Sequence, residues 1–296
     1  ELVPLEPLSA DELKLSNGFN YQILATEGDS LAPGISFGSN NDFLQYFSVP
    51  GAPHEGILWV NHEAYSPLFV SGFTMEAGSK RTIAQVQKEV LAVGGSLLRV
   101  SQDTSTGRWK LVPNHKYNRR ITALTPIPFA WKEPIAGSKQ ALGMVGNCAG
   151  GFTPWGTVLT CEENFQEYHG DVDFKSGKRI RTNGKIQFEW VLPKAEPEHY
   201  GWVVEVNPLT GQAKKLVSLG RFCHEGATPW VARDGRPVIY MGDDTDQRCF
   251  YKFIPDHANS LETGKLYVAD TVNGRWLSLA ISDQRVLQDK FKNQTE

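Results

Sequence analysis

Two short patterns recur along the chain and interleave. In the first, an apolar, β-rich run exits into acidic or amide residues. Gly56-Ile57-Leu58-Trp59-Val60 leads to Asn61-His62-Glu63, and Gly156-Thr157-Val158-Leu159-Thr160 leads to Cys161-Glu162-Glu163-Asn164. Pro237-Val238-Ile239-Tyr240-Met241 leads to Gly242-Asp243-Asp244. The later two copies follow Thr153-Pro154-Trp155 and Thr228-Pro229-Trp230; the first lacks that tripeptide. The second pattern is a hairpin: a β-rich run, a glycine turn and a second β-rich run. It appears at Ser96–Val112 around Thr106-Gly107, at Gly201–Val217 around Thr210-Gly211, and at Lys265–Leu277 around Asn273-Gly274. One such strand-plus-hairpin unit cannot bury both faces of its own sheet, but stacked units can. The expected fold is all-β, with sheets arranged as blades around an axis; a plain β-sandwich is the alternative.

Composition agrees. The chain is 40% hydrophobic and 11% aromatic, with 28 Gly and 17 Pro among 296 residues, which favours strands joined by tight turns. Helical signal is confined to Ala84–Val93 and to a Ser9/Glu12 capping pattern over Ser9–Leu15. Asp171–Lys185 and Pro193–His199 read as surface loops, the first an insertion, within a single domain over residues 1–296. The net charge of −3 comes without a basic stripe, which argues against nucleic acid as a partner. Arg119-Arg120 and Lys178-Arg179 read as solvated pairs. No apolar run is long enough to span a bilayer.

The strand exits carry the chemistry. On stacked sheets, equivalent positions are neighbours, so Glu63, Glu163 and Asp244 are expected to converge where the innermost strands end, near a central channel. Converging carboxylates repel, and hard oxygen donors suit calcium, magnesium or manganese. Glu225, in Cys223-His224-Glu225-Gly226, adds an acid before the third copy. The corresponding place in the second copy is Cys148, in Gly146-Asn147-Cys148-Ala149-Gly150. A thiolate fits calcium poorly and suits a transition metal such as iron. Cys148 and Cys161 also read as small buried residues or disulfide halves. The four cysteines include no CxxC pair, so a zinc ribbon is excluded. His62 and His224 read as structural histidines or as orienters of neighbouring ligands.

Asn61-His62-Glu63, the run from Gly146-Asn147-Cys148 through Thr153-Pro154-Trp155-Gly156-Thr157 to Cys161-Glu162-Glu163-Asn164, His224-Glu225-Gly226-Ala227-Thr228-Pro229-Trp230, and Tyr240-Met241-Gly242-Asp243-Asp244 resemble the PhoX family of secreted alkaline phosphatases. The resemblance implies a six-bladed β-propeller, of which this chain holds about the first half to two-thirds. It implies hydrolysis of phosphate monoesters at a cluster of ferric iron and calcium. Cys148 then corresponds to the iron-binding cysteine, with Cys161 as the alternative thiolate. Glu163, Glu225 and Asp244 correspond to metal-binding carboxylates, and Glu63 joins them. The family's phosphate-binding arginine and lysine lie outside this chain, and the rest of the propeller is expected in missing sequence or a second chain. The resemblance and the calcium requirement imply a periplasmic or extracellular protein with its leader removed. A calcium-dependent lactonase or phosphotriesterase on a similar propeller, with no cysteine ligand, is the alternative activity. A non-catalytic propeller with structural metals is a third class.

Overall fold

The computed structural model describes residues 9, 12–76, 78–173, 176–180, 190, 192, 195–246 and 248–292. Each recurring unit forms one antiparallel sheet. The first sheet runs Asn41–Val49, Ala52–His62, Gly94–Gln102, Trp109–Leu111, with Arg119–Ile121 also paired to Gly94–Gln102. The second runs Asn147–Phe152, Val158–Glu162, Val203–Val206, Ala213–Leu216. The third runs His224–Val231, Pro237–Asp243, Phe250–His257, Ser260–Asp270, Arg275–Ser278. All three hairpins expected from sequence are present, at the expected turns.

The sheets stack face to face, and period-two alternation decides which residues meet. Ile57, Trp59 and Leu97 of the first sheet pack on Val158, Val204 and Val206 of the second. The opposite face of the second, Leu159, Cys161, Val203 and Leu216, packs on Ala227, Ile239, Met241 and Phe253 of the third. Fully burying side chains of this size stabilises by about 1.5–3 kcal/mol each. The first strand of the second sheet lies against the first strands of both other sheets. Their approach is close: a Cβ on Gly151 would lie 2.0 Å from the Ala227 carbonyl oxygen, so only glycine fits.

The chain between the second and third strands of the first sheet makes the helix Ile83–Ala92. It is opened by a reciprocal capping box in which the Thr82 hydroxyl accepts from the Gln85 amide and the Gln85 side chain accepts from the Thr82 amide. Glu89 anchors the helix from a fully buried position, accepting from Tyr65, Ser71, Arg81 and Trp190.

Three sequence expectations need correction. Residues 12–15 are not helical. Pro197 and His199 are buried, because His199 closes a short 3-10 turn and bonds the Ile135 carbonyl, so this segment is core rather than surface loop; 193–194 lie outside the described residues. Arg120 is not solvated: its guanidinium donates to the carbonyls of Ser36, Val93 and Gly95 and ties the N-terminal segment to the first sheet. Of the expected insertion, Asp171–Val172 pairs with Arg179–Ile180, while 174–175 and 181–185 lie outside the described residues.

Candidate metal centre

Glu63, Glu163 and Asp244 do not end the innermost strands. Each follows the second strand of its sheet, after His62, Glu162 and Asp243. The innermost strands begin at the same edge, where Asn41 pairs with His62, Asn147 with Glu162 and His224 with Asp243. One residue further along each innermost strand stand Asp42, Cys148 and Glu225. Every sheet therefore delivers a pair of donors to one edge: Asp42 with Glu63, Cys148 with Glu163, and Glu225 with Asp244.

A β-bulge is built in at the same place each time. The register slips between Asn41 and Leu44, between Asn147 and Gly150, and between Glu225 and Thr228. An extra residue bends the strand and re-aims its side chains. The bulges thus lie beside Asp42, Cys148 and Glu225, where the three sheets bring their donors together. Ligand atoms of Asp42, Glu63 and Cys148 lie within 4.8 Å of one another, as do those of Cys148, Glu163 and Glu225. Asp244 stands close enough to act electrostatically on Glu163 and Glu225.

Of the residues expected from sequence, the structure brings Glu63, Cys148, Glu163, Glu225 and Asp244 together, and it adds Asp42. Cys161 is excluded from this group. Its side chain is fully buried against the third sheet, in one cluster with Ala227, Ile239 and Met241. All four cysteines are free. His62 is bonded through both ring nitrogens, to the Ser39 carbonyl and the Ser96 hydroxyl, and burial drives its pKa down to about 3. His224 bonds the Gly220 carbonyl, stacks on Phe222 and is likewise held neutral by burial. Both are structural.

Burial raises the pKa of Glu63, Glu225 and Glu163, the last to about 7. The charges that add to this are other acids: Asp42 and Glu225 on Glu63, Asp244 and Asp42 on Glu225, and Glu225 and Glu63 on Glu163. Two carboxylates 4.8 Å apart repel by about 3–4 kcal/mol at an effective dielectric near 20. The donor set thus fits multivalent cations: oxygens for a hard ion throughout, and one sulfur, on Cys148, for a transition metal.

This gives a pH test. Folded-state carboxyls with raised pKa bind more protons than unfolded ones, so the metal-free protein loses stability as pH rises from the unfolded glutamate value, about 4.3, through about 7. Buried neutral His62, His169 and His224 act the other way below pH about 6.5, in both metal states. The gap in melting temperature between cation-loaded and chelated protein isolates the carboxylates, and it should widen from pH 5 to pH 8. A gap independent of pH would mean that the acids do not share one site.

The family model for alkaline phosphatase PhoX matches residues 1–296. The chain belongs to the PhoX family. A solved structure of Pseudomonas fluorescens PhoX in complex with vanadate, a transition state analogue, superposes with a TM-score of 0.76 at 27% identity. The match covers 90% of this chain and 56% of that one, so this chain spans little more than half of that PhoX. No curated protein sequence matches the chain. Because the longer PhoX carries its additional length in one polypeptide, a second chain gains no support. Among the described residues no helix is long and apolar enough to cross a membrane.

Proposed function

We propose that this chain forms the metal-holding part of an alkaline phosphatase that hydrolyses phosphate monoesters. Membership of the PhoX family supports the reading, as does likeness to a PhoX that binds vanadate. The observation that carries it is the convergence of carboxylates and one thiol, a pair from each sheet, at one edge of the stack. The three sheets would be consecutive blades of a six-bladed propeller. Asp42, Glu63, Glu163, Glu225 and Asp244 would hold calcium and share ferric iron with Cys148. Bound cations would polarise phosphate oxygens and offset charge developing in the in-line transition state.

The chain's own residues set the geometry. Asn164 donates to the Glu63 carboxylate at 3.2 Å and the Tyr168 hydroxyl donates to the Glu63 carbonyl at 2.8 Å, fixing that residue at its side chain and its backbone. A calcium-dependent site suits a periplasmic or extracellular location, where calcium is abundant.

The test is metal analysis of the purified protein together with hydrolysis of p-nitrophenyl phosphate, with and without chelator. Iron with calcium and chelator-sensitive hydrolysis are expected. Calcium alone with lactone or phosphotriester hydrolysis would replace this reading, and metal without any hydrolysis would leave a binding protein. Thiolate-to-iron charge transfer should colour the protein. Cys148→Ser should remove the visible band and most of the iron while calcium binding suffers less, and Cys161→Ser should keep the band. Loss of colour in Cys161→Ser alone would move the thiolate ligand there.

A further inference from the structure

We propose that Asn61 is a positioning residue that sets the Cys148 thiol against the carboxylates of the neighbouring sheet; this rests on the reading of Cys148 as the iron's thiolate ligand. The bulge at Cys148 takes its carbonyls out of the regular strand ladder, and those oxygens need donors from elsewhere. The donor is a side chain of the first sheet. Asn61 Nδ2 donates to the Cys148 carbonyl at 2.5 Å and to the Ala149 carbonyl at 3.1 Å. Its Oδ1 accepts from Trp59 Nε1 and from the Thr160 hydroxyl, both at 2.7 Å. Thr160 in turn accepts from Asn147 Nδ2 at 3.0 Å.

An asparagine amide has two N–H donors and two acceptor lone pairs, and all four are used here. Asn61 is fully buried, so the network fixes the orientation of the amide without competition from water. Two residues along the chain stands Glu63, which leaves the first sheet toward the site. The Asn61 bracket therefore fixes the spacing between Glu63 on one sheet and Cys148 on the next.

The device repeats one sheet on. Cys161 occupies the place of Asn61 in the second copy of the sequence pattern, and its side chain packs in one buried cluster with Ala227, in the bulge beside Glu225. In each case the penultimate residue of the second strand braces the bulge of the following sheet. This gives Cys161 a role that does not require it to bind metal. The thiol demands the stronger brace, since a soft donor placed out of reach leaves only oxygens, which suit calcium and not a thiolate-bound iron.

The test uses the purified holoprotein. Asn61→Asp keeps both acceptor contacts but turns an oxygen toward the Cys148 and Ala149 carbonyls. It should lower iron affinity by about 10- to 100-fold and weaken or shift the thiolate-to-iron band, with calcium content near that of the wild type and a melting temperature lowered by the buried carboxylate. If Asn61→Asp does not fold, Thr160→Val, which removes one donor to Oδ1, carries the same test with a loss of about 2- to 10-fold. Wild-type iron affinity and band position in the folded variant would overturn the proposal. So would a loss of calcium as large as that of iron, which is the mark of a purely structural residue. Cys148→Ser measured alongside separates the two claims. If it loses the band while the Asn61 or Thr160 variant keeps it, only the positioning role fails. If it keeps iron and band, the thiolate reading fails and the positioning role falls with it.

Discussion

Glu163→Gln is expected to bind cations weakly and to hydrolyse p-nitrophenyl phosphate about 10²–10³-fold more slowly, a loss of about 3–4 kcal/mol in transition-state stabilisation. The substitution keeps the volume of the side chain and removes only its charge. Cys148, Asp244, Glu225 and Glu63 all act on Glu163. It is also only 4% exposed, so water does little to screen it. The same removal of charge should have the opposite effect on the metal-free fold. Without cations, the Glu163 carboxylate is buried and repelled by its neighbours, and burial first, repulsion second, raise its pKa to about 7. Chelated Glu163→Gln should therefore melt above chelated wild type at pH 8, while in calcium the order reverses. Lower stability in both conditions would make Glu163 a packing residue, and full metal content with an unchanged rate would remove it from the site.

The sheets were legible because period-two alternation and glycine turns are local. The Trp59, Leu159 and Ile239 strands and the hairpins at Gly107, Gly211 and Gly274 lie where the repeats place them. The capping box of Thr82 and Gln85 likewise sits at the start of the segment that reads as helical. Asp42 was not legible. The repeats align on the second strand of each sheet, whereas Asp42 belongs to the first, and the hairpins joining those strands differ in length. A usable signal existed in Asn41-Asp42, Asn147-Cys148 and His224-Glu225, a side chain able to hydrogen-bond followed by a metal donor at each strand start. The bulges are invisible in sequence because they arise from pairing, not from residue type. Adjacent lysines show the same limit. Lys214 bridges Glu205 and Glu262 near the surface, while Lys215 is fully buried against Glu162. Nothing in Ala213-Lys214-Lys215-Leu216 distinguishes them; the stacking of the second sheet on its neighbours does.

Lys215→Met is expected to destabilise the protein by about 3–5 kcal/mol at pH 7, the cost of leaving a buried charge without its partner. Lys215 Nζ donates to both Glu162 oxygens and to the His199 carbonyl, each at 2.8 Å, and sits 4.6 Å from the Tyr200 ring centroid. Glu162 also accepts from the Val145 and Trp202 amides at 3.1 Å. The pair thus ties the outer strand of the second sheet to the end of its second strand, one residue before Glu163. Burial pushes the Glu162 carboxyl up and the Lys215 ammonium down, and their mutual attraction opposes both shifts. With the lysine gone, only burial and the two amides act on Glu162, and its folded-state pKa climbs further. A raised carboxyl pKa destabilises above the unfolded value and not below it. The penalty of Lys215→Met should accordingly shrink as pH falls toward about 4.3. Adding Glu162→Gln should recover part of it at pH 7, because a neutral amide removes the buried charge and its oxygen still accepts from one of the two backbone donors, the other being left facing the amide nitrogen. Urea unfolding of the single and double variants at pH 5 and pH 7 reads all of this. A penalty that does not change with pH, and that the second substitution does not relieve, would mean that Lys215 acts through packing of its stem rather than through the ion pair.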